Sequence, residues 1–182
     1  RVVTVCLKKP WAPIHMPVEY PAIEMTRGWH RAFIALGSNM GDKERHLLDA
    51  VETISQHTHN RLLKQSTFIT TAPVGYVDQD DFLNGVISIE TLMTPVELMT
   101  FLLEVEKGQH RVRTIKWGPR TMDLDILMYD DWITDDERVT LPHPRMHERT
   151  FVLEPLQEIA PYTIHPLLQR RICDLYKDIV ER

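Results

Sequence analysis

Trp117-Gly118-Pro119-Arg120-Thr121-Met122-Asp123-Leu124-Asp125-Ile126-Leu127-Met128-Tyr129 is the stretch that decides how this chain reads. Gly118-Pro119 cannot continue a helix, so the stretch begins as a loop. From Met122 apolar residues alternate with Asp123 and Asp125, and the run then becomes wholly apolar. Strand side chains alternate between faces, so the spacing predicts a strand with Asp123 and Asp125 on one face. Two carboxylates side by side repel each other unless a cation lies between them. Mg²⁺ suits such a pair, because it takes hard oxygen ligands and binds through one or two carboxylates plus substrate phosphates. Just upstream, Lys107, Arg111, Arg113, Lys116 and Arg120 occur with no Asp or Glu among them. Cations facing an Asp pair are the ingredients of a metal–polyphosphate site. The plainer alternative is a solvated edge strand beside a basic loop.

The bulk numbers narrow the class. A chain of 182 residues, 43% hydrophobic, has room for one domain of ordinary size and an appendage. Its net charge of −5 argues against a general nucleic-acid binder and makes the positive charge a local feature. Cys6 and Cys173 lack metal-ligand spacing, and free thiols in a reducing cytosol are expected. No apolar run approaches the ~20 residues of a membrane span. No membrane partner and no signal peptide are expected.

Working outward, the chain from His30 reads as β-α-β-β-α-β followed by helices. A buried strand is expected over His30 to Leu36, and a glycine turn over Gly37 to Asp42, with Asp42 as N-cap. The turn is read as a packing device rather than a phosphate cradle. A helix follows from Lys43 to about Thr58, with Leu47, Leu48, Val51 and Ile54 on one face. Short strands are expected at Ser66 to Thr71 and Phe82 to Thr91. Thr94-Pro95-Val96-Glu97 announces a helix with a capping box and Pro at its first position. Leu98, Met99, Leu102, Leu103 and Val105 should line its core face, with Gly108 just past its end. After the Asp strand, a short strand is expected at Trp132-Ile133 and extended chain at Arg138 to Leu141. Thr150 should cap a helix over Phe151 to Ala160. A last helix lies within Pro166 to Arg182, with Leu168, Ile172, Leu175 and Ile179 inward. This order is the split βαβ, ferredoxin-like pattern. The expected fold class is α+β, with helices packed on a mainly antiparallel sheet.

Arg111-Val112-Arg113 and Trp117-Gly118-Pro119-Arg120-Thr121-Met122-Asp123-Leu124-Asp125 closely resemble the signature of 6-hydroxymethyl-7,8-dihydropterin pyrophosphokinase, a folate-pathway enzyme family. Ala35-Leu36-Gly37-Ser38-Asn39 and Leu141-Pro142-His143-Pro144 extend the resemblance from about His30 to the C-terminus. It implies helices on both faces of the sheet, and transfer of pyrophosphate from ATP to the pterin hydroxymethyl oxygen, releasing AMP. It also implies a cytoplasmic enzyme using ATP as co-substrate and two Mg²⁺ ions on Asp123 and Asp125. Glu106, Arg111, Arg113, Lys116, Trp117, Arg120, Ile126, Arg138, Thr140, His143 and Arg149 match the nucleotide side. Thr71, Pro73, Val74, Phe82, Asn84, Trp117, Asp123 and Phe151 match the pterin side. A flat, donor- and acceptor-rich ligand wants rings around it and an amide at its edge, which Phe82, Trp117, Phe151 and Asn84 supply. Arg111 and Arg120 are the candidates for stabilising charge on the transferring group, beside Asp123 and Asp125. The span from Gly108 to Trp117 is expected to order over bound nucleotide as a lid. Lys116 stands where the family often has Arg, Phe82 where Tyr is common, Ala72 for a frequent Pro, and Pro144 where an aromatic is frequent.

Residues 1–28 resemble the last hairpin of dihydroneopterin aldolase, with Arg1 to Leu7 β-rich, a proline-broken turn, and a return strand at Tyr20 to Thr26. The aldolase lysine would fall on Lys9, stranded from the rest of that site. The resemblance therefore divides the chain into an aldolase-like remnant at 1–28 and a pyrophosphokinase domain at 29–182, with the aldolase domain upstream in one polypeptide. Two other classes are weighed. A ferredoxin-like binding module for RNA or a small molecule would not need an Asp pair facing a basic loop, and this acidic chain lacks an RNA-binding bias. An ordinary kinase forming ADP would want a Gly-x-x-x-x-Gly-Lys-Ser/Thr loop, which is absent.

Overall fold

The computed structural model describes residues 2–7, 16–21, 28–73, 78–108 and 122–182, the first two segments by their backbone alone. The expectations for Lys9, Val74, Arg111, Arg113, Lys116, Trp117, Arg120 and the lid lie outside the described residues.

A five-stranded sheet positions everything else. Its strands are β3 (His30–Ser38), β4 (Asn60–Gln65), β5 (Ile69–Thr71), β6 (Phe82–Thr91) and β7 (Asp123–Tyr129). The order is β4-β6-β3-β7, with β5 also on β6, and every pairing is antiparallel. Helix α1 (Lys43–Gln56) links β3 to β4, and helix α2 (Pro95–Gly108) lies between β6 and β7 in sequence. This is the split βαβ topology. The helix starts follow their sequence signals. Asp42 accepts the Arg45 N–H (3.2 Å), after a left-handed Gly41 (φ 63°). Thr94 Oγ1 accepts the Glu97 N–H (3.2 Å) one residue before Pro95.

Strand alternation builds two cores. On one face Ala32, Ile34, Leu36, Ile87, Ile89, Leu124 and Ile126 meet Leu47, Ala50, Val51 and Ile54 of α1 and Leu98, Leu102 and Val105 of α2. On the other, Phe33, Val86, Leu127 and Met128 meet α3 (Thr150–Ile159) and α4 (Ile172–Val180) through Val152, Leu153, Leu156, Ile172 and Leu175. Helices therefore cover both faces. The β3–β7 register shifts between Phe33 and Ile34, which lets neighbouring Leu127 and Met128 both serve the second core.

Several boundaries differ from the sequence reading. β4 was not expected. It is an edge strand with only Asn60 buried, so it carries no alternation to read. The strand expected at Ser66 to Thr71 shortens to Ile69–Thr71. Trp132 instead closes a turn, donating its N–H to the Tyr129 carbonyl (3.1 Å). The next strand, β8, is Thr134–Asp136, and it pairs with β9 (Val139–Leu141). Arg149, not Thr150, stands at the N-cap of α3, without a side-chain cap. α4 begins only at Ile172, so Leu168 precedes it and is exposed; Leu103 on α2 is exposed as well. β1 (Val2–Leu7) pairs antiparallel with β2 (Met16–Pro21), which overlaps the return strand expected at Tyr20 to Thr26; residues 22–26 of that expectation lie outside the described residues.

Beyond α3, His165 is buried at 2% exposure. Its Nδ1 accepts the N–H groups of Leu167 (3.2 Å) and Leu168 (3.1 Å). Burial first, and then His147, pushes its pKa down from 6.5 to about 4. The unfolded chain therefore binds a proton below pH ~6.5 that the folded chain refuses until pH ~4. This contribution to stability is complete above that window and is lost as pH falls through it, at about 1.4 kcal/mol per pH unit. His165→Asn keeps an acceptor near Nδ1 and removes the titration. Its melting temperature should fall less between pH 6.5 and 4.5 than that of the parent. Equal acid slopes would show that His165 is not among the groups responsible.

Candidate active site

The sheet register assembles the site across three strands. Asn84 of β6, Gly37 of β3 and Asp123 of β7 form one rung; Val86, Ala35 and Asp125 form the next. All six positions lie on the face that carries α3, because their neighbours Leu36, Leu124 and Ile126 fill the opposite core. The start of α3 contributes Phe151 and Val152 to the lining of this end of the sheet. Here lies an open cleft, floored by Ala35 and Gly37 and walled by Asn84, Asp123, Asp125, His143, Arg149 and Phe151.

Each wall has a local cause. Asp123 and Asp125 project from one side of β7, as the i, i+2 spacing requires. The segment after β9 is laid beside β7 by the His143 N–H, which donates to the Leu127 carbonyl (2.8 Å). The His143 Nδ1 accepts the Arg145 N–H (3.2 Å), so the neutral ring carries its proton on Nε2. That Nε2 stands 4.0 Å from Asp125 Oδ2. Burial, then the Arg149 charge, hold the His143 pKa at about 4, against a smaller upward pull from Asp123. His143 is therefore neutral at physiological pH. Arg149 is held below the usual guanidinium range by burial and by Arg145, while Asp125 and Asp123 pull the other way. It remains a cation and lies 5.6 Å from the Phe151 ring centre.

The amide wall is oriented as well. Asn84 Nδ2 donates to Thr71 Oγ1 (2.6 Å), across the β5–β6 pair. Its Oδ1 is turned toward Gly37, where an added Cβ would lie 3.0 Å away. Gly37 thus keeps room for the amide. The sequence reading assigned this glycine to a turn, but β3 continues through Ser38. The signal that would have found the floor is the pair of small residues, Ala35 and Gly37, at alternate positions of an otherwise bulky strand.

Of the residues singled out in the sequence, Asn84, Asp123, Asp125, His143, Arg149 and Phe151 meet in the cleft, with Thr71 bonded to Asn84. Phe82 lies beside the first rung, 4.0 Å from where a Gly37 Cβ would be. Phe82 and Phe151 are both half-buried, Phe151 packing against the second core as well as lining the cleft, and Pro73 is half-buried in the loop after β5. Four others stand elsewhere. The Ile126 side chain is in the α1–α2 core. Arg138 is gripped by Asp136 through Nε (2.9 Å) and a terminal nitrogen (2.6 Å). Thr140 is exposed on the β8–β9 hairpin. Glu106 is buried against the far edge of β7.

The donor set of the cleft suits Mg²⁺. Asp123 and Asp125 offer hard oxygens from one face, and Asp125 is 43% exposed. No cluster of three or more metal-ligating His, Cys, Asp or Glu side chains occurs among the described residues. A two-carboxylate anchor leaves the rest of the shell to phosphate oxygens and water, the usual arrangement for this cation.

A carboxylate pair with the Arg149 cation beside it, opposite an amide, is part of what the family signature led us to expect. Residues 33–161 match the model of the family 7,8-dihydro-6-hydroxymethylpterin-pyrophosphokinase. The chain belongs to this pyrophosphokinase family. It is 47% identical over 129 residues to the 2-amino-4-hydroxy-6-hydroxymethyldihydropteridine pyrophosphokinase of Bacillus subtilis, covering 71% of this chain and 77% of that one. It is 44% identical over 135 residues to the Haemophilus influenzae protein of the same name, covering 74% of this chain and 84% of the other. Its fold is similar to that of the Plasmodium falciparum HPPK-DHPS, with a TM-score of 0.65 at 14% identity. That likeness covers 85% of this chain and 44% of the longer protein.

Proposed function

We infer that this chain transfers the pyrophosphoryl group of ATP to the hydroxymethyl oxygen of 6-hydroxymethyl-7,8-dihydropterin in folate biosynthesis, releasing AMP. The observation that carries the reading is the two-rung cleft, with Asp123 and Asp125 on one wall and Asn84 on the other. In the reaction the hydroxymethyl oxygen forms a bond to the β-phosphorus. The bond from that phosphorus to the α,β-bridging oxygen breaks, the oxygen leaves with AMP, and the hydroxyl proton is lost. Such a transfer needs alignment and charge neutralisation more than covalent help.

The chain's residues divide that work. Asn84, held by Thr71, reads the pterin edge, with Phe82 and Phe151 as its rings and Trp117, Pro73 and Val74 assigned there by resemblance. Arg149 grips phosphate oxygens, and neutral His143 donates from Nε2. Arg111, Arg113, Lys116 and Arg120 join them as nucleotide contacts by resemblance, with Arg138, Thr140 and the Ile126 backbone at its margin. Asp123 and Asp125 would hold two Mg²⁺ ions. When bound, these ions supply neutralisation of the polyphosphate charge and polarisation of the attacking hydroxyl. The AMP, ADP and pterin products formed from ATP, Mg²⁺ and hydroxymethyl-dihydropterin test the function. AMP with pterin diphosphate is expected. ADP would mean an ordinary kinase, and no turnover with ligand binding alone would mean a binding module.

We also propose that residues 1–28 close an aldolase-like domain lying upstream in the same polypeptide, in the cytoplasm. The antiparallel β1–β2 pair supports a hairpin there, and the family match begins only at residue 33. Removing residues 1–28 should leave AMP formation within about twofold, since surface changes away from a site cost little. These residues should add no aldolase activity. Loss of turnover in a folded, shortened protein would place the boundary elsewhere.

A further inference from the structure

Glu106 ends up where a carboxylate is costly. It lies in the last turn of α2 with 2% of its surface exposed. A buried carboxylate needs hydrogen-bond donors to be tolerated. One donor is the backbone N–H of Leu124, 2.8 Å from Glu106 Oε1. Leu124 is the residue between Asp123 and Asp125, and its own side chain is fully packed in the α1–α2 core. Along its other edge β7 is held by β3; among the described residues no strand lies on the Glu106 side.

We propose that Glu106 is a positioning residue for the Asp123–Asp125 pair, acting through the Leu124 N–H. The His143 N–H bonded to the Leu127 carbonyl steadies the later half of β7 on the Glu106 side, and the half that carries Asp123 and Asp125 would otherwise be free to roll about its β3 edge. Carboxylates at the ends of its side chains then swing further than its backbone does. Glu106 holds the second edge at the peptide flanked by both aspartates, so both side chains keep one aim into the cleft. Supporting groups of this kind fix the ligands that bind directly. The resemblance placed Glu106 on the nucleotide side; the geometry gives it work to do before any nucleotide arrives. The proposal rests on reading the cleft as a pyrophosphokinase site.

Two variants and two measurements test it. Glu106→Ala removes the acceptor; Glu106→Gln keeps an acceptor oxygen at the same reach and removes the charge. The first measurement is amide exchange at Leu124 in the ligand-free protein; the second is the division between kcat and KM. In Glu106→Ala, exchange at Leu124 should quicken, and kcat should fall by about 10–100-fold with the pterin KM little changed. Glu106→Gln should recover most of both. Unchanged Leu124 protection in Glu106→Ala would overturn the proposal. So would a loss confined to the ATP KM, or a Gln variant as impaired as the Ala variant. If Glu106→Ala does not fold, Glu106→Gln decides alone: retained protection and kcat support the role, and loss of both overturns it. A parent protein that forms no AMP would overturn the function reading, and the exchange comparison would still decide what Glu106 does.

Discussion

Asp123→Ala and Asp125→Ala are each expected to lower turnover by at least ~10³-fold while leaving the fold intact. Each carboxylate is an anchor for the cation that neutralises the polyphosphate, and several kcal/mol of transition-state stabilisation depend on that cation. Every ~1.4 kcal/mol removed is a factor of ten in rate. The fold should survive because neither side chain is part of a core: both project into the cleft, while Leu124 and Ile126 between them are packed. Neither substitution removes apolar packing, since Asp123 and Asp125 lie outside both cores. The melting temperature without Mg²⁺ should therefore stay close to that of the parent, while the stabilisation that Mg²⁺ with a non-hydrolysable ATP analogue gives the parent should disappear. Turnover within a few-fold of the parent in either variant would refute the metal assignment.

Local pattern made parts of this molecule legible. Asp123 and Asp125 alternate with Leu124 and Ile126, and such alternation has one structural meaning. Thr94-Pro95 and Asp42 mark helix starts by filling positions that few other residues fill. β4 was invisible because Arg61, Leu62, Leu63, Lys64 and Gln65 are all exposed on a sheet edge. With neither face buried there is no period to detect. The site was legible as a list of residues and not as an arrangement. That Asn84 sits one strand from Gly37, and Gly37 one strand from Asp123, follows from register, which depends on long-range pairing. Arg138 was likewise noticed for the motif it matches, and that it is bonded to Asp136 in this structure is not something the motif shows. Glu106 was noticed for the motif it matches, yet its partner is a backbone amide 18 residues away, and no side-chain pattern shows that bond.

Arg149→Ala should lower kcat/KM for ATP by ~10²–10³-fold, the usual cost of losing a well-placed donor to developing charge. Arg149 occupies the N-cap of α3, where its carbonyl accepts the N–H groups of Val152 (3.1 Å) and Leu153 (3.0 Å). The backbone is thus fixed by the helix start, and the guanidinium is held over Phe151. The positive end of the α3 dipole lies at the same edge of the cleft, so two sources of positive potential meet the anion there. Arg149→Lys keeps the charge but loses the planar fork and should recover only part of the activity. Pterin binding in the absence of ATP should change little, because Asn84 and Thr71 are untouched. A second readout does not involve turnover. The Arg149 charge is the second-largest cause, after burial, of the depressed His143 pKa. Without that cation the imidazolium is less disfavoured, so His143 should titrate above about 4 in Arg149→Ala, and near the parent value in Arg149→Lys. NMR titration of the His143 ring follows this directly. An unmoved His143 pKa together with a normal ATP dependence would remove Arg149 from the site.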